Sequence, residues 1–381
     1  MKSTERDVIV VGAGPGGSTC AAYLALAGVD VLLLDKEIWP REKPCGDGQT
    51  GVSFKFVKDL GIADELAAAG FKTKGASFTS PDHNRIDFDM GEASSYVTPR
   101  RLFDDMVRKR AIRAGAEMLQ NAWVYDVIKE DGFVRGVRAK IDGEHVELRS
   151  KLVIGADGAH SIIAKKIGMF GDDDNDVAVV GRCYYEDVDI PGYLEMHLDK
   201  NVLPGYVWIF PMRDGKANVG LGYNRKFYVD VPDLQDTLDR WIVESPYGEC
   251  LRGKRRIGEF RGWRIPYATG AYDNYVNGCM LIGDAGSLIT PFTAEGIGPA
   301  MASGHMVSGT CQKALLSGDV SCNVLKEYKE QWDAEYGPAI KKIKSIESAF
   351  QNAEVINTYM AKFKDNPAAK QMFLSMMHIT K

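Results

Sequence analysis

The stretch DVIVVGAGPGGSTCAAYLALAGVDVLLLDK (7–36) constrains the fold of this chain more than any other. Residues 7–11 are a short β-branched apolar run, the pattern of a strand buried on both faces of a parallel sheet. Gly12, Gly14 and Gly17 follow in G-x-G-x-x-G spacing. Each has a mechanical reason: Gly12 permits a tight turn, Gly14 lets backbone approach a pyrophosphate, and Gly17 allows close packing of helix on strand. Residues 18–27 read as a helix whose free amides face the phosphates, and Gly28 stops it. A second apolar run, 31–34, ends in Asp35, 18 residues after Gly17, near where an acidic side chain bonds ribose hydroxyls. Glu37 lies beyond the run and reads as a solvated acid. Strand, glycines, helix, strand and acid in this order specify a dinucleotide site, without separating FAD from NAD.

Composition narrows the class. With 381 residues, 45% hydrophobic and 26% charged, the chain can bury the core of one large or two interleaved domains. A net charge of -5 and no long run of like charges argue against nucleic acid as a partner. The seven cysteines are scattered, without a C-x-x-C pair, which fits a reducing compartment and excludes a disulfide scaffold or structural zinc site. The six histidines show no ligand spacing, so no metal is expected. No apolar stretch reaches the roughly 18 residues that cross a bilayer, and residues 1–7 leave no room for a signal peptide. The expectation is a cytoplasmic protein, with peripheral membrane contact left open.

Three later segments separate the cofactors. They are VTPRRLFDDMVRKRAIRAGAE (97–117), KLVIGADGAHSIIAKKIG (151–168) and GCMLIGDAGSLITPFTAEGIGPAMASG (278–304). Together they resemble the FAD-dependent oxidoreductases of the para-hydroxybenzoate hydroxylase type. That resemblance implies that Gly283 and Asp284 hold the ribityl chain of FAD and that Arg100 contacts its phosphates. It also implies that Asp157 lies near flavin and incoming NAD(P)H, and that the loop through Gly296 and Ile297 presents backbone amides to the isoalloxazine. A single dinucleotide motif and no redox C-x-x-C speak against a disulfide reductase. Electrons would come from transient NAD(P)H or another reduced carrier, an electron-donor protein included.

Two further segments narrow the resemblance: KPCGDGQ (43–49), and YVWIFPMRDGKANVGLG (206–222), which fits Y-x-W-x-F-P, eight residues, then G-x-G. With TPFTAEGIG (290–298) they are similar to the geranylgeranyl reductase family, whose members saturate isolated double bonds of polyprenyl chains with reduced FAD. The resemblance implies that Cys45, next to Gly46, faces the flavin and that Tyr206, Trp208, Phe210 and Pro211 line the substrate cavity. On a strand, Tyr206, Trp208 and Phe210 alternate onto one face as an aromatic wall suited to a lipophilic substrate. The alternative reading is core packing in a sheet. Reducing an alkene needs a hydride and a proton, for which Cys45 or a bound water is the candidate donor. Ala294 departs from the glycine frequent at this loop position in reductases. A flavin monooxygenase or halogenase is the alternative activity; halogenases need a reactive lysine, and Lys43 and Lys72 read as solvated.

The expected fold class is α/β: a Rossmann-like FAD-binding domain with a central parallel sheet, interleaved with an antiparallel β-sheet substrate domain and followed by a C-terminal helical region. The FAD-binding domain takes residues 1–74, 97–176 and 266–325, the substrate domain 75–96 and 177–265, and the helical region 326–381. In that last region Ile340, Ile343, Phe350, Ala353, Ile356 and Met360 form an apolar stripe beside Lys341, Lys342 and Lys344. Packing on the flavin domain is the expectation, a membrane-facing surface the alternative. The methionine-rich residues 372–377 suit the border of an apolar tunnel.

Overall fold

A computed structural model describes residues 5–91, 95–170, 177–228, 233–268, 273–347, 349–364 and 366; residues 372–377 lie outside the described residues. The apolar run extends as the strand Glu5–Val11, paired in parallel with Val31–Leu34 on one side and Glu144–Gly155 on the other. Cys279–Leu281 and Glu117–Leu119 continue the parallel array outward. A meander, Ala122–Glu130 and Phe133–Ile141, hangs antiparallel from Glu144–Gly155, and Tyr275–Val276 pairs antiparallel with Cys279–Leu281, completing an eight-stranded sheet. Val8, Val10, Ile9 and Leu33 are fully buried, as expected of strands covered on both faces.

The glycines perform the roles read from their spacing. Gly12 has φ +103°, and a Cβ there would stand 2.3 Å from the carbonyl oxygen of Ala156. At Gly17 a Cβ would meet the carbonyl oxygen of Gly12 at 1.9 Å, so the helix Pro15–Leu26 can begin only against bare backbone. The long helix Ile297–Ser317 packs along this first helix.

The second sheet has seven strands in the order Arg256–Pro266, Val177–Tyr185, Ala217–Asn224, Tyr206–Pro211, Tyr193–His197, Gly75–Thr79 and Arg85–Asp89. It is antiparallel except for the parallel pair Tyr193–His197 with Gly75–Thr79. Alternation divides the aromatic strand. Val207 and Ile209 join Leu238 and Trp241 in a core on one side, while Tyr206, Trp208 and Phe210 face the other.

The spacing between Y-x-W-x-F-P and G-x-G is a hairpin register. Trp208 lies opposite Gly220 and Tyr206 opposite Gly222. A Cβ at Gly220 would stand 2.3 Å from the Trp208 ring and as close to the Gly181 carbonyl. The indole therefore lies flat across a strand that has no side chain at that point.

The C-terminal stripe divides its packing, contrary to the expectation that it covers the flavin domain. Ile340 touches the flavin-domain core, whereas Ile343, Ile356 and Met360 are buried against Phe78, Leu194, Met196 and Phe292, with Phe350 and Ala353 at the edge. The substrate sheet is the surface left uncovered by the flavin-domain helices, and the terminal helices Gly337–Ile346 and Ala353–Phe363 close it. Among the described residues no helix is long and apolar enough to cross a membrane.

Gly220→Ala should lower stability by about 1–3 kcal/mol, the usual cost of forcing a group into a filled core. Thermal denaturation checks this, and an unchanged Tm contradicts the register of indole on glycine.

Candidate active site

One cavity of about 780 Å³ runs from the glycine turn to the aromatic strand, within the roughly 300–1,000 Å³ common for ligand sites. Gly12, Gly14, Gly17 and Asp35 line one end, and Tyr206, Trp208 and Phe210 the other; Cys45, Gly46, Arg100, Asp157, Gly283, Asp284, Gly296 and Ile297 lie along it. Pro211 does not. It has the parity of Val207 and Ile209 and so faces the opposite side of the sheet, which corrects its assignment to the substrate cavity.

At the dinucleotide end, the carboxylate of Asp35 accepts the amide N–H of Ala13 at 2.8 Å and that of Glu37 at 2.9 Å. It thereby ties the glycine turn to the end of the second strand, and its remaining lone pairs face the cavity. Gly14 is open: a Cβ there would meet only Arg41 Nη2, at 3.5 Å. Arg41 lies over the Trp39 ring and pairs with Asp104 at 3.0 Å, while its buried Nη1 has no partner among the described residues. A buried guanidinium with a free donor beside an open glycine and a helix N-terminus fits the pyrophosphate of FAD. Arg100 is more committed than its resemblance implies. Its fork closes on Asp104 at 2.6 and 2.7 Å, and Cys45 is a further electrostatic partner. Burial pulls its proton affinity down, but these partners raise it above the ordinary value.

Asp157 caps the helix Ile162–Ile167, accepting from the Ser161 hydroxyl at 2.5 Å and from the amides of Ile162 and Ile163 at 2.6 and 3.2 Å. It shapes the turn that walls the cavity. Asp284, on the Gly283 turn, faces Lys43 at 3.7 Å. Lys43 is not the solvated lysine expected: its ammonium stands 4.2 Å above the Trp263 ring, and burial pulls its pKa below the usual value against the pull of Asp284. Lys72 is exposed.

The segment after Cys45 holds the chamber together through a residue that sequence reasoning left unassigned. Asp47 is fully buried and accepts from the Arg100 amide at 3.2 Å, the Tyr184 hydroxyl at 2.7 Å and Asn218 Nδ2 at 2.9 Å. Asn218 also donates to the Cys45 carbonyl at 2.7 Å and accepts from Trp208 Nε1 at 2.9 Å. Burial pushes the Asp47 carboxyl up to about 6, against these donors. Gly46 is bare because the Phe210 ring lies on it, 2.9 Å from where a Cβ would stand.

The TPFTAEGIG loop forms the remaining wall. Tyr206 donates its hydroxyl to the Thr293 carbonyl at 2.6 Å, joining aromatic strand to loop. Ala294 has φ +54°, a conformation that glycine adopts without strain, so the departure noted in the sequence places a strained residue in this loop. Glu295 lines the cavity, accepts a hydrogen bond from the Thr50 hydroxyl, and is a second residue that sequence reasoning missed. Its acidity depends on burial, which no local pattern reports.

The comparisons agree with this geometry. Residues 5–194 match the FAD binding domain family, and residues 174–254 match the geranylgeranyl reductase catalytic domain. The digeranylgeranylglycerophospholipid reductase of Methanosarcina acetivorans is 34% identical over 363 residues, covering 91% of this chain and 85% of that protein. That of Thermoplasma volcanium is 32% identical, covering 85% and 82%. The chain belongs to the geranylgeranyl reductase family. Among solved structures, a geranylgeranyl bacteriochlorophyll reductase-like protein from Thermoplasma acidophilum superposes with a TM-score of 0.88 at 26% identity, covering 97% of this chain and 96% of that one. A flavin-dependent brominase shares the fold at a TM-score of 0.81 and 21% identity, covering 98% and 94%. As a geranylgeranyl reductase family member the chain is an FAD-dependent oxidoreductase, and the residues along its cavity supply what that cofactor requires.

Gly14→Val should leave the fold intact, because the added side chain enters open space, and should weaken FAD by about tenfold to a hundredfold through overpacking of about 1–3 kcal/mol. Flavin absorbance after gel filtration measures it; full occupancy contradicts the site.

Proposed function

We propose that this enzyme reduces carbon–carbon double bonds in the polyprenyl chain of a lipid. The observation that carries the reading is the single cavity, in which dinucleotide motif and aromatic wall share one space. The relatives named as digeranylgeranylglycerophospholipid reductases support it, because their substrate pairs long apolar chains with a polar head.

Bound reduced FAD supplies hydride; the protein's own residues do the rest. Arg41, the open face at Gly14 and the first helix N-terminus bind the anionic part of the cofactor. Asp284 is the acceptor for its hydroxyl-bearing linker. Tyr206, Trp208 and Phe210, with ring centroids 6.2 Å apart in sequence, give an apolar bed that excludes water and orients the alkene. Their faces also favour any positive charge that develops on the substrate carbon. The proton has to come from an acid lining the same space, and Cys45 and Glu295 both do. The electron supply is a visitor, NAD(P)H or another reduced carrier, since the chain carries one dinucleotide motif.

A monooxygenase or halogenase would need oxygen, which separates the activities. Dithionite-reduced enzyme, kept anaerobic with a geranylgeranylated glycerophospholipid, should yield product heavier by one pair of hydrogens per bond reduced; a strict need for oxygen would overturn the proposal. Trp208→Ala should slow this turnover by roughly tenfold or more while flavin stays bound, by loss of an aromatic contact worth about 1.5 kcal/mol. Normal turnover would make the wall purely structural.

A further inference from the structure

We infer that the Glu295 carboxyl is the acid that protonates the substrate alkene. The inference rests on the reductase reading above and names the residue that completes it.

Six acidic side chains line the cavity and a seventh, Asp47, lies beside it; their surroundings separate them. Asp47 is fully buried, absent from the cavity lining, and occupied by three donors. Asp157 lines the cavity, and burial raises its pKa against three donors, but both its oxygens are committed to capping a helix. Asp284 faces the Lys43 ammonium at 3.7 Å, so it is already engaged by a cation. Asp35 and Glu37 lie at the glycine-turn end, where Asp35 accepts two amides, and Glu42 pairs with Arg182. At the aromatic end Glu295 lines the cavity with no cation opposite it among the described residues. Its Oε1 is anchored by the Thr50 hydroxyl and lies over Gly298, where a Cβ would come within 2.6 Å of it. The strained backbone at Ala294 and the Tyr206 bond to Thr293 set the loop from which it projects.

The groups facing Glu295 from neighbouring elements are the Thr50 hydroxyl, the Tyr206 phenol of the aromatic strand and the Tyr336 phenol. Asp284 stands beside the next residue, Gly296. Burial raises both phenols above their ordinary values, so they stay neutral. Burial likewise pushes the Glu295 carboxyl up to about 7, opposed only by the Thr50 hydrogen bond. An acid poised there is protonated when needed and ionises readily afterwards.

The step balances. The alkene π bond breaks; one carbon forms a C–H bond with the hydride from reduced flavin, which is thereby oxidised by two electrons. The other carbon forms a C–H bond with the Glu295 proton, and the resulting carboxylate regains a proton from solvent.

The test is anaerobic single turnover of the FAD-loaded full chain, reduced with dithionite, on a geranylgeranylated glycerophospholipid, with rates taken per bound flavin. Wild-type rate should be full below about pH 7 and fall as pH rises, since the neutral carboxyl is the active form. Glu295→Gln should be roughly a hundredfold slower or more and lose that limb. Thr50→Val removes a hydrogen bond that favours the carboxylate and should move the limb to higher pH. A second readout is independent of turnover. Because its folded pKa is raised, Glu295 lowers stability as pH climbs from about 4.5 to about 7. The Tm of Glu295→Gln should therefore gain on wild type across that window. A glutamine variant within about threefold of wild-type rate and retaining the limb would overturn the assignment while leaving the reductase reading intact. A wild type that leaves every prenyl double bond unreduced would overturn both.

Discussion

Two hydrogen bonds from Tyr184 and Asn218 to a buried carboxylate, Asp47, join the two sheets into one working chamber. The loop bearing Cys45 and Gly46 belongs to the flavin side, and Asn218 and Tyr184 belong to the substrate sheet. Without that junction the aromatic strand would have no fixed distance from the glycine turn. Asn218 extends the constraint by holding the Trp208 indole, so one amide orients both the thiol-bearing loop and the central ring of the wall. Burying a carboxylate this deeply is costly unless its lone pairs are met, and here they are. Stability and precise positioning thus share the same few atoms.

The chamber combines two kinds of surface that are seldom adjacent. One end offers amide N–H groups, a guanidinium and carboxylates to a charged dinucleotide. The other offers stacked rings and aliphatic side chains, closed from outside by terminal helices whose Ile343, Ile356 and Met360 cover the substrate sheet. A long apolar chain can be held there while a polar cofactor works on it. Glu295 lies where the two meet, on a loop whose left-handed residues Phe292 and Ala294 store conformational strain.

Much of this was legible in the sequence because it is local. The glycine turn, the first two strands and the terminal acid occupy 30 consecutive residues, and each glycine's role follows from geometry alone. The register of Y-x-W-x-F-P against G-x-G is also local, since a hairpin links the two. Asp47 and Asn218, separated by 171 positions, give no such pattern. Lys43 looked like an ordinary surface cation until the fold set it beside Trp263, and Arg41, which lies over Trp39, belongs to no sequence motif. Pro211 was misjudged because a motif marks a stretch of chain, whereas alternation decides which of its residues face the cavity. The C-terminal stripe announced its amphipathicity but not which surface would receive it.

The claim on which the others depend is that cofactor and prenyl chain meet in one chamber. A crystal structure of the FAD-loaded enzyme with a geranylgeranylated glycerophospholipid measures this directly. It should place the pyrophosphate on Gly14 and Arg41, and a prenyl double bond between the isoalloxazine, the Trp208 face and the Glu295 carboxyl. A prenyl chain lying outside the cavity, or an isoalloxazine turned away from the aromatic strand, would contradict it.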